Sequence, residues 1–270
     1  MFIIACVIYE KSIERIGSYK EFGLFQRAHQ DVQFRIYDNS GSDTCDLNRE
    51  FCIAKPNIQY FPNGSNIGLS RTYNKVLKTS NEDDWIFWAD DDTVFSVDYL
   101  ENVYRYSQAG LTPVISGVIR TQTGNLLSPV SPDKALGQEE ALDGRVLSGV
   151  YCINSGLCVR RNIYSKIGYY DERLFVDMID YWFFDELRKN SSDQVYIAQG
   201  EIKQSFSGNT HAAMQKMLRR YKIYKNDFSV YCALEGKKAG YKYKILVRHY
   251  IKILYLGFLN WCCNEKDKHN

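Results

Sequence analysis

The chain has 270 residues, of which 45% are hydrophobic and 24% charged, and its formal net charge is +2. That balance is globular and long enough for one large α/β domain or two closely joined halves; it excludes a dedicated nucleic-acid binder, which would carry a basic excess and a basic-aromatic motif. The eight cysteines (Cys6, Cys45, Cys52, Cys152, Cys158, Cys232, Cys262 and Cys263) form no Cys-x-x-Cys pair and no Cys/His set at zinc-finger spacing, so free thiols in a reducing compartment are expected.

In chain order, residues 2–9 are an apolar run that predicts a buried strand. No basic segment precedes it, no small-residue cleavage site follows, and it is too short to span a bilayer. No other stretch approaches the ~20 apolar residues of a membrane span, so a cytoplasmic location is expected. Residues 12–28 have helical spacing with Ser12 as cap. Residues 32–37 predict a second strand, running into a polar turn over 38–43. Residues 58–61 predict a third, followed by the Asn/Gly-rich loop 62–68 and a helix over 69–78. Residues 85–89 predict a fourth, ending in Asp90, Asp91 and Asp92. This alternation predicts an α/β fold, with a Rossmann-like, mainly parallel sheet, helices on both faces, and ligands at the carboxyl ends of the strands.

The second half is less regular. A helix is expected over 96–108, a strand over 113–120, and a mobile loop over 126–144, which holds Pro129 and Pro132. Residues 146–160 read as extended, 162–167 as a short helix, 174–189 as a longer helix beginning in an acidic cluster, and 195–198 as a last strand. From His211 onward the pattern is helical and basic. No acidic residue lies between Gly236 and Asn264, while Lys237, Lys238, Lys242, Lys244, Arg248 and Lys252 alternate with Ile, Leu, Tyr and Trp.

Four clusters carry chemistry. In Trp85-Ile86-Phe87-Trp88-Ala89-Asp90-Asp91-Asp92-Thr93, adjacent carboxylates repel one another unless a cation sits among them. Mg²⁺ or Mn²⁺ takes oxygen ligands and bridges protein to diphosphate. The plainer alternative is a solvated acidic turn, which the five apolar residues in front disfavour. In Asn66-Ile67-Gly68-Leu69-Ser70-Arg71-Thr72-Tyr73-Asn74, a glycine opening a helix lets backbone approach an anionic ligand, although plain capping gives the same pattern. Asp38-Asn39-Ser40 offers a carboxylate to a base N–H or a ribose hydroxyl. In residues 168–180, Asp177 and Asp180 are three apart and would share one helical face. Either is suited to take a proton from an acceptor hydroxyl, and both also suit a helix start by complementing its dipole. The residues alone leave these two readings level.

The order and spacing of the clusters resemble the family 2 glycosyltransferases, in particular the bacterial rhamnosyl- and galactosyltransferase-like branch that builds surface polysaccharides. Val7-Ile8-Tyr9-Glu10 resembles that family's first strand end, Tyr37-Asp38-Asn39-Ser40 its nucleotide-binding strand end, and Asn66-x-Gly68 through Asn74 its next helix start. Asp90-Asp91-Asp92-Thr93 matches its Asp-x-Asp-Thr. Val146-Leu147-Ser148 through Asn154-Ser155-Gly156 and Arg160-Arg161 resembles its acceptor-side strand, and Gly168-x-x-Asp171-Glu172-x-Leu174-Phe175-Val176-Asp177-x-x-Asp180 is the most specific piece. Arg219-Arg220-Tyr221 to Lys225-Asn226 resembles its late helix. The similarity runs from residue 3 to about residue 230.

The resemblance implies a glycosyltransferase A fold. Residues 1–95 would be a nucleotide-sugar-binding half, 96–210 an acceptor-binding half of the same catalytic domain, and 211–270 a helical, basic C-terminal tail. Tyr9, Asp38, Asn66, Gly68, Arg71, Asp90 and Asp91 would bind nucleotide, with Asp38 on the base and Asp90 on the ribose. Asp92, with Asp90, would hold Mn²⁺ or Mg²⁺ on the diphosphate. Asp180 would be the catalytic base and Asp177 its nearest competitor. The implied reaction is inverting transfer of a hexosyl residue from a UDP- or dTDP-linked donor to a saccharide acceptor, lipid-linked or free, in capsule, O-antigen or cell-wall synthesis. Two positions depart from the pattern: Trp182 stands where the family is usually acidic, and Gln204 where it often has His, with His211 a weak substitute. A haloacid-dehalogenase-type phosphatase and a non-catalytic sugar- or nucleotide-binding relic are the competing readings. The tail suits an anionic membrane surface at the inner face of the cell membrane, or packing on the catalytic domain.

Overall fold

The computed structural model describes residues 1–121, 124–132, 142–204 and 214–266, with side chains described as far as Leu256. The strand β1 (Phe2–Ile8) is buried along its whole length, which is why its sequence is unbroken apolar rather than alternating. It pairs in parallel with β2 (Val32–Asp38) on one side and β4 (Trp85–Asp90) on the other, and β3 (Ile58–Pro62) adds beyond β2. The register is level at the carboxyl ends: Ile8 stands opposite Asp38, Asp38 opposite Pro62, and Val7 opposite Asp90. Four loops therefore leave one edge together, and the strand order reverses between β1 and β4, where open α/β sheets bind ligands.

Beyond β4 the sheet becomes mixed. It continues through β9 (Cys158–Arg160), β6 (Val114–Arg120), β10 (Val195–Gln204) and β5 (Thr93–Phe95), with β7 (Leu126–Ser128) on β6 and β8 (Val146–Leu147) on β10. β9 runs antiparallel to both β4 and β6, while β10 is parallel to β6 and antiparallel to β5. The helices of this part are α1 (Tyr19–Ala28), α2 (Ser42–Ile53), α3 (Leu69–Lys78), α4 (Val97–Ala109), α5 (Asn162–Ile167) and α6 (Ile179–Asn190).

Several elements differ from the sequence expectation for identifiable reasons. The helix expected over 12–28 is a single 3-10 turn, Ile13–Arg15, followed by α1. Between them Gly17 N–H donates to the Asp91 carbonyl (3.0 Å), and the Ser18 hydroxyl accepts from Phe95 N–H (2.7 Å) and donates to the Thr93 carbonyl (3.1 Å). Those bonds tie the segment to the turn after β4 instead of to a helix. α2 was not foreseen because it buries only Cys45 and Asn48, too little apolar surface for a periodic signal. The helix expected from residue 174 begins instead at Ile179: Met178 has φ +62°, outside the helical range, and the N–H groups of Val176 and Asp177 donate to Asp227 Oδ2 at 2.8 and 2.9 Å. Asp177 and Asp180 therefore share no helical face. The loop expected over 126–144 begins as β7; its residues 133–141, like His211, lie outside the described residues. The six described cysteines, from Cys6 to Cys232, are free thiols.

The chain falls into two compact units, residues 1–170 with 180–205, and residues 171–179 with 206–270. The first holds the whole sheet. The second holds α7 (Met214–Leu234) and α8 (Ala239–Lys266), with the 171–179 strap on α7. α7 and α8 are antiparallel: Phe228 packs on Tyr241, Tyr224 on His249, and the Tyr221 hydroxyl donates to the Leu246 carbonyl at 3.0 Å.

A Cβ placed on Gly17 would lie 2.7 Å from the Thr93 carbonyl oxygen, closer than any side chain tolerates. Gly17→Ala is expected to lower stability by about 1–3 kcal/mol, the usual range for overpacking. Urea unfolding would measure it, and a wild-type midpoint would contradict this account of the break before α1.

Candidate active site

The acidic turn after β4 is held from both sides. Asp91 is committed within the protein: its Oδ1 pairs with Lys11 Nζ at 2.5 Å, its Oδ2 accepts from Tyr9 N–H at 3.3 Å, and its carbonyl accepts from Lys11 Nζ at 2.8 Å. Asp90 and Asp92 flank it. A chain of hydroxyls joins their backbones and side chains: Asp90 N–H donates to Ser155 Oγ (3.2 Å), Ser155 Oγ to Thr93 Oγ1 (2.8 Å), and Thr93 Oγ1 to Asp92 Oδ1 (3.5 Å). Ser155 reaches this position because Gly156 N–H donates to the Trp88 carbonyl and Trp88 N–H to that of Leu157, at 2.8 and 2.9 Å.

The electrostatics follow from this crowding. Burial, then the charges of Asp92 and Asp91, push the Asp90 carboxyl up to about 7, and Ser155 and Lys11 offset only part of that. Burial and Asp91 likewise raise Asp92. Gln204, the last residue of β10, stands opposite Thr93, and its Oε1 is buried without a hydrogen-bond partner among the described residues.

The loops from the other strands reach the same edge. Asp38 is fully buried, and its carboxylate accepts Ser40 N–H on Oδ1 (2.8 Å) and the Asn48 amide (2.8 Å) and Tyr60 hydroxyl (2.7 Å) on Oδ2. Asn66 accepts Gly68 N–H at 3.1 Å, and Gly68, with φ +86°, opens α3 in a conformation that only glycine adopts readily. Ser70, in the first turn of α3, is wholly buried and its hydroxyl has no partner among the described residues; Arg71 beside it is exposed, as is Tyr9.

Behind the acidic turn lies a layer of aromatic side chains. Tyr73 packs on Trp88 at 4.3 Å between ring centroids and on Tyr170 at 5.3 Å, while Trp88 Nε1 donates to the Tyr164 hydroxyl at 2.9 Å. Trp182 joins this layer against Tyr170, so at the position where an acidic side chain was expected the protein places a packing residue. The Tyr73 hydroxyl is raised by burial first and then by the charges of Asp90 and Asp180, so both carboxylates act on one buried phenol. Asp180, in the first turn of α6, also raises Cys152 and Tyr170. Asn154, nearly buried, hydrogen-bonds toward Tyr73 and keeps its Oδ1 unpartnered among the described residues.

In the second unit both oxygens of Asp177 are taken by Arg220, through Nη1 and, at 2.6 Å, through Nη2. Lys11, Asn154 and Ser155 belong to the site although none was singled out from the sequence. Asn154 and Ser155 had a signal, since they lie in the segment resembling the acceptor-side strand; Lys11, one residue past the first strand-end motif, had none.

Residues 26–168, just over half of the chain, match the sequence profile described as glycosyl transferase family 2. An N-acetylglucosaminyl-diphospho-decaprenol L-rhamnosyltransferase from two strains of Mycobacterium tuberculosis is 26% identical over 179 residues, covering 54% of this chain and 58% of that protein. The chain thus spans a little over half the length of this curated relative. Among solved structures, the mannosyltransferase PcManGT from Pyrobaculum calidifontis, in complex with GDP-Man and Mn²⁺, superposes with a TM-score of 0.57 at 12% identity, covering 93% of this chain and 69% of that one. S. aureus TarS 1–349 does so with a TM-score of 0.53 at 13% identity, covering 84% and 64%. At these identities the likeness is one of fold, and the fold is that of the glycosyltransferase A enzymes.

Because the Asp90 carboxyl is raised to about 7 in the folded chain from an ordinary value of 3.8, the folded state holds a proton between those pH values that the unfolded state has released. Stability then falls as pH rises through that window. In the absence of divalent ions, Asp90→Asn should therefore melt a few degrees above wild type at pH 8 and level with it near pH 4. Calorimetric melting at the two pH values checks this, and a pH-independent difference would contradict it.

Proposed function

We propose, from the premise that the chain belongs to glycosyl transferase family 2, that it transfers a hexosyl residue from a nucleoside diphosphate sugar to a hydroxyl of a saccharide acceptor, with inversion, in bacterial surface-polysaccharide synthesis. The observation that carries this reading is the acidic turn Asp90–Asp92 at the end of β4, on the same sheet edge as the loops after β1, β2 and β3 and gripped there by Lys11. Asp180, in the first turn of α6, is the separate carboxylate that acceptor deprotonation requires. Family membership removes the phosphatase reading.

On the donor side, the proposed contacts are the turn after β2, the Asn66–Gly68 approach, Arg71 and the edge near Tyr9. Asp38 would support the base, its internal hydrogen bonds keeping the Asn39–Ser40 turn in place for it. Asp91 contributes by holding Tyr9 and Lys11 against the acidic turn. Asp90 would serve the ribose as well as a cation.

The residues fit a hard divalent cation. Asp90 and Asp92 repel each other without one, and Gln204 Oε1 adds a neutral oxygen without a partner among the described residues. Among the described residues no group of three His, Cys, Asp or Glu side chains is placed to hold an ion unaided, which suits an ion completed by diphosphate oxygens and water. Asp92 and Asp90, with Gln204, would hold Mn²⁺ or Mg²⁺, which when bound supplies neutralisation of the charge on the departing diphosphate. Asp180 accepts the acceptor hydroxyl's proton. Asp177 is the weaker candidate because both of its oxygens are taken by Arg220.

The Mycobacterium relative is named for rhamnosyl transfer to a decaprenol-linked N-acetylglucosaminyl diphosphate, which supports a lipid-linked acceptor. A thermal-shift screen of nucleotide sugars with Mn²⁺ identifies the donor; donor hydrolysis or transfer then tests the reading, and its complete absence with every stabilising donor favours the non-catalytic relic. Asp180→Asn should lower turnover by ~10²–10⁴-fold, the range for a positioned base, with donor affinity retained. If Asp177→Asn carries that loss instead, the two roles exchange. Asp92→Asn should abolish the Mn²⁺-dependent part of nucleoside diphosphate binding in titration calorimetry.

A further inference from the structure

α8 has two faces. One packs inward through Leu246 and Ile253, both buried, with His249 stacked on Tyr221 and Tyr224 of α7. Away from it runs a row at four-residue spacing, Tyr243, Val247, Ile251 and Tyr255, whose side chains are 54–61% exposed. Residues four apart stack along one side of a helix, so this is a continuous apolar strip, widened by exposed Leu254. A second row, Lys244, Arg248 and Lys252, lies one residue on from it at the same spacing and forms no ion pair among the described residues. Apolar and basic rows therefore run side by side along the helix.

Charge decides what this strip meets. No acidic residue occurs between Gly236 and Asn264. Tyr250, at the edge of the strip, also lines a groove of about 550 Å³ on α7 with Arg219, Lys222 and Lys225, none of which is ion-paired among the described residues. An apolar protein partner would gain nothing from so uniform a sign, whereas an anionic lipid surface matches both rows: aliphatic and tyrosine side chains enter the headgroup boundary and the cations meet phosphates. No helix among the described residues is long and apolar enough to cross a membrane, so the helix would lie on the surface.

We propose that the Tyr243–Val247–Ile251–Tyr255 strip of α8, with its adjoining Lys244–Arg248–Lys252 row, is a docking surface for anionic lipid bilayers. The inference does not depend on the assignment of the active site. The test is flotation of the full chain with vesicles of phosphatidylcholine alone or with added phosphatidylglycerol. Wild type should float with the anionic vesicles, far less with the neutral ones, and less as salt rises. The exposed double variant Val247→Asp/Ile251→Asp should lose flotation, and Lys244→Gln/Arg248→Gln/Lys252→Gln should weaken it by about a hundredfold, both with wild-type melting and unchanged nucleotide binding. Failure of the wild type to float, equal binding to neutral vesicles, or wild-type flotation of the double variant would overturn the proposal. So would a dimer in light scattering that Val247→Asp/Ile251→Asp dissociates without any vesicle binding, since a second copy would then cover the strip.

Discussion

At the end of β4 the chain holds Asp90, Asp91 and Asp92 in succession, the first of them half-buried behind an apolar strand, and much of the first unit is arranged around keeping them there. Two unit charges 4 Å apart repel by about 4 kcal/mol at an effective dielectric near 20. The protein relieves one of the three with Lys11, which bonds both the carboxylate and the carbonyl of Asp91. It fixes the others indirectly, through Ser155 and Thr93 and through the Gly17–Ser18 segment that grips the turn from the N-terminal side. The unrelieved charge on Asp90 and Asp92 is what a cationic or hydrogen-bonding ligand would satisfy.

Holding that charge in place requires a stiff wall behind it, and the wall is aromatic. Tyr73, Trp88, Tyr164, Tyr170 and Trp182 interlock at ring separations of 4.3–6.4 Å. Tyrosine is suited to this because its ring packs while its hydroxyl finds a partner, as the Trp88–Tyr164–Tyr170 chain shows. Part of the chain's complement of 21 tyrosines therefore builds the support of the site. A second group, Tyr221, Tyr224, Tyr231 and Tyr241, serves the packing of α7 and α8. Trp182 gains its meaning here: a bulky ring completes the wall where a carboxylate would have added a further like charge.

What could be read from the chain was what depends on neighbours along it. The apolar runs of β1 and β4 and the amphipathic α3 announced themselves through periodicity, and α3 has the bounds expected of it. α2 did not, because a helix that buries one cysteine and one asparagine has no apolar stripe to detect. The start of α6 was misplaced because Asp227, some fifty residues away in sequence, takes the N–H groups of Val176 and Asp177. The break before α1 has a similar origin in bonds from the turn after β4.

The sequence by itself determined the alternation of strands and helices, the edge at which polar residues gather, and the presence of an acidic turn at the end of a buried strand. Those follow from hydrophobic period and from residue chemistry within short windows. Only the tertiary structure decided how the acidic residues are engaged: Asp38 and Asp91 are hydrogen-bonded inside the protein, Asp177 is held by Arg220, and the charges of Asp90 and Asp180 both raise the Tyr73 hydroxyl. A side chain's partners are set by strand register and by contacts between segments far apart in the chain, and no local pattern carries that information.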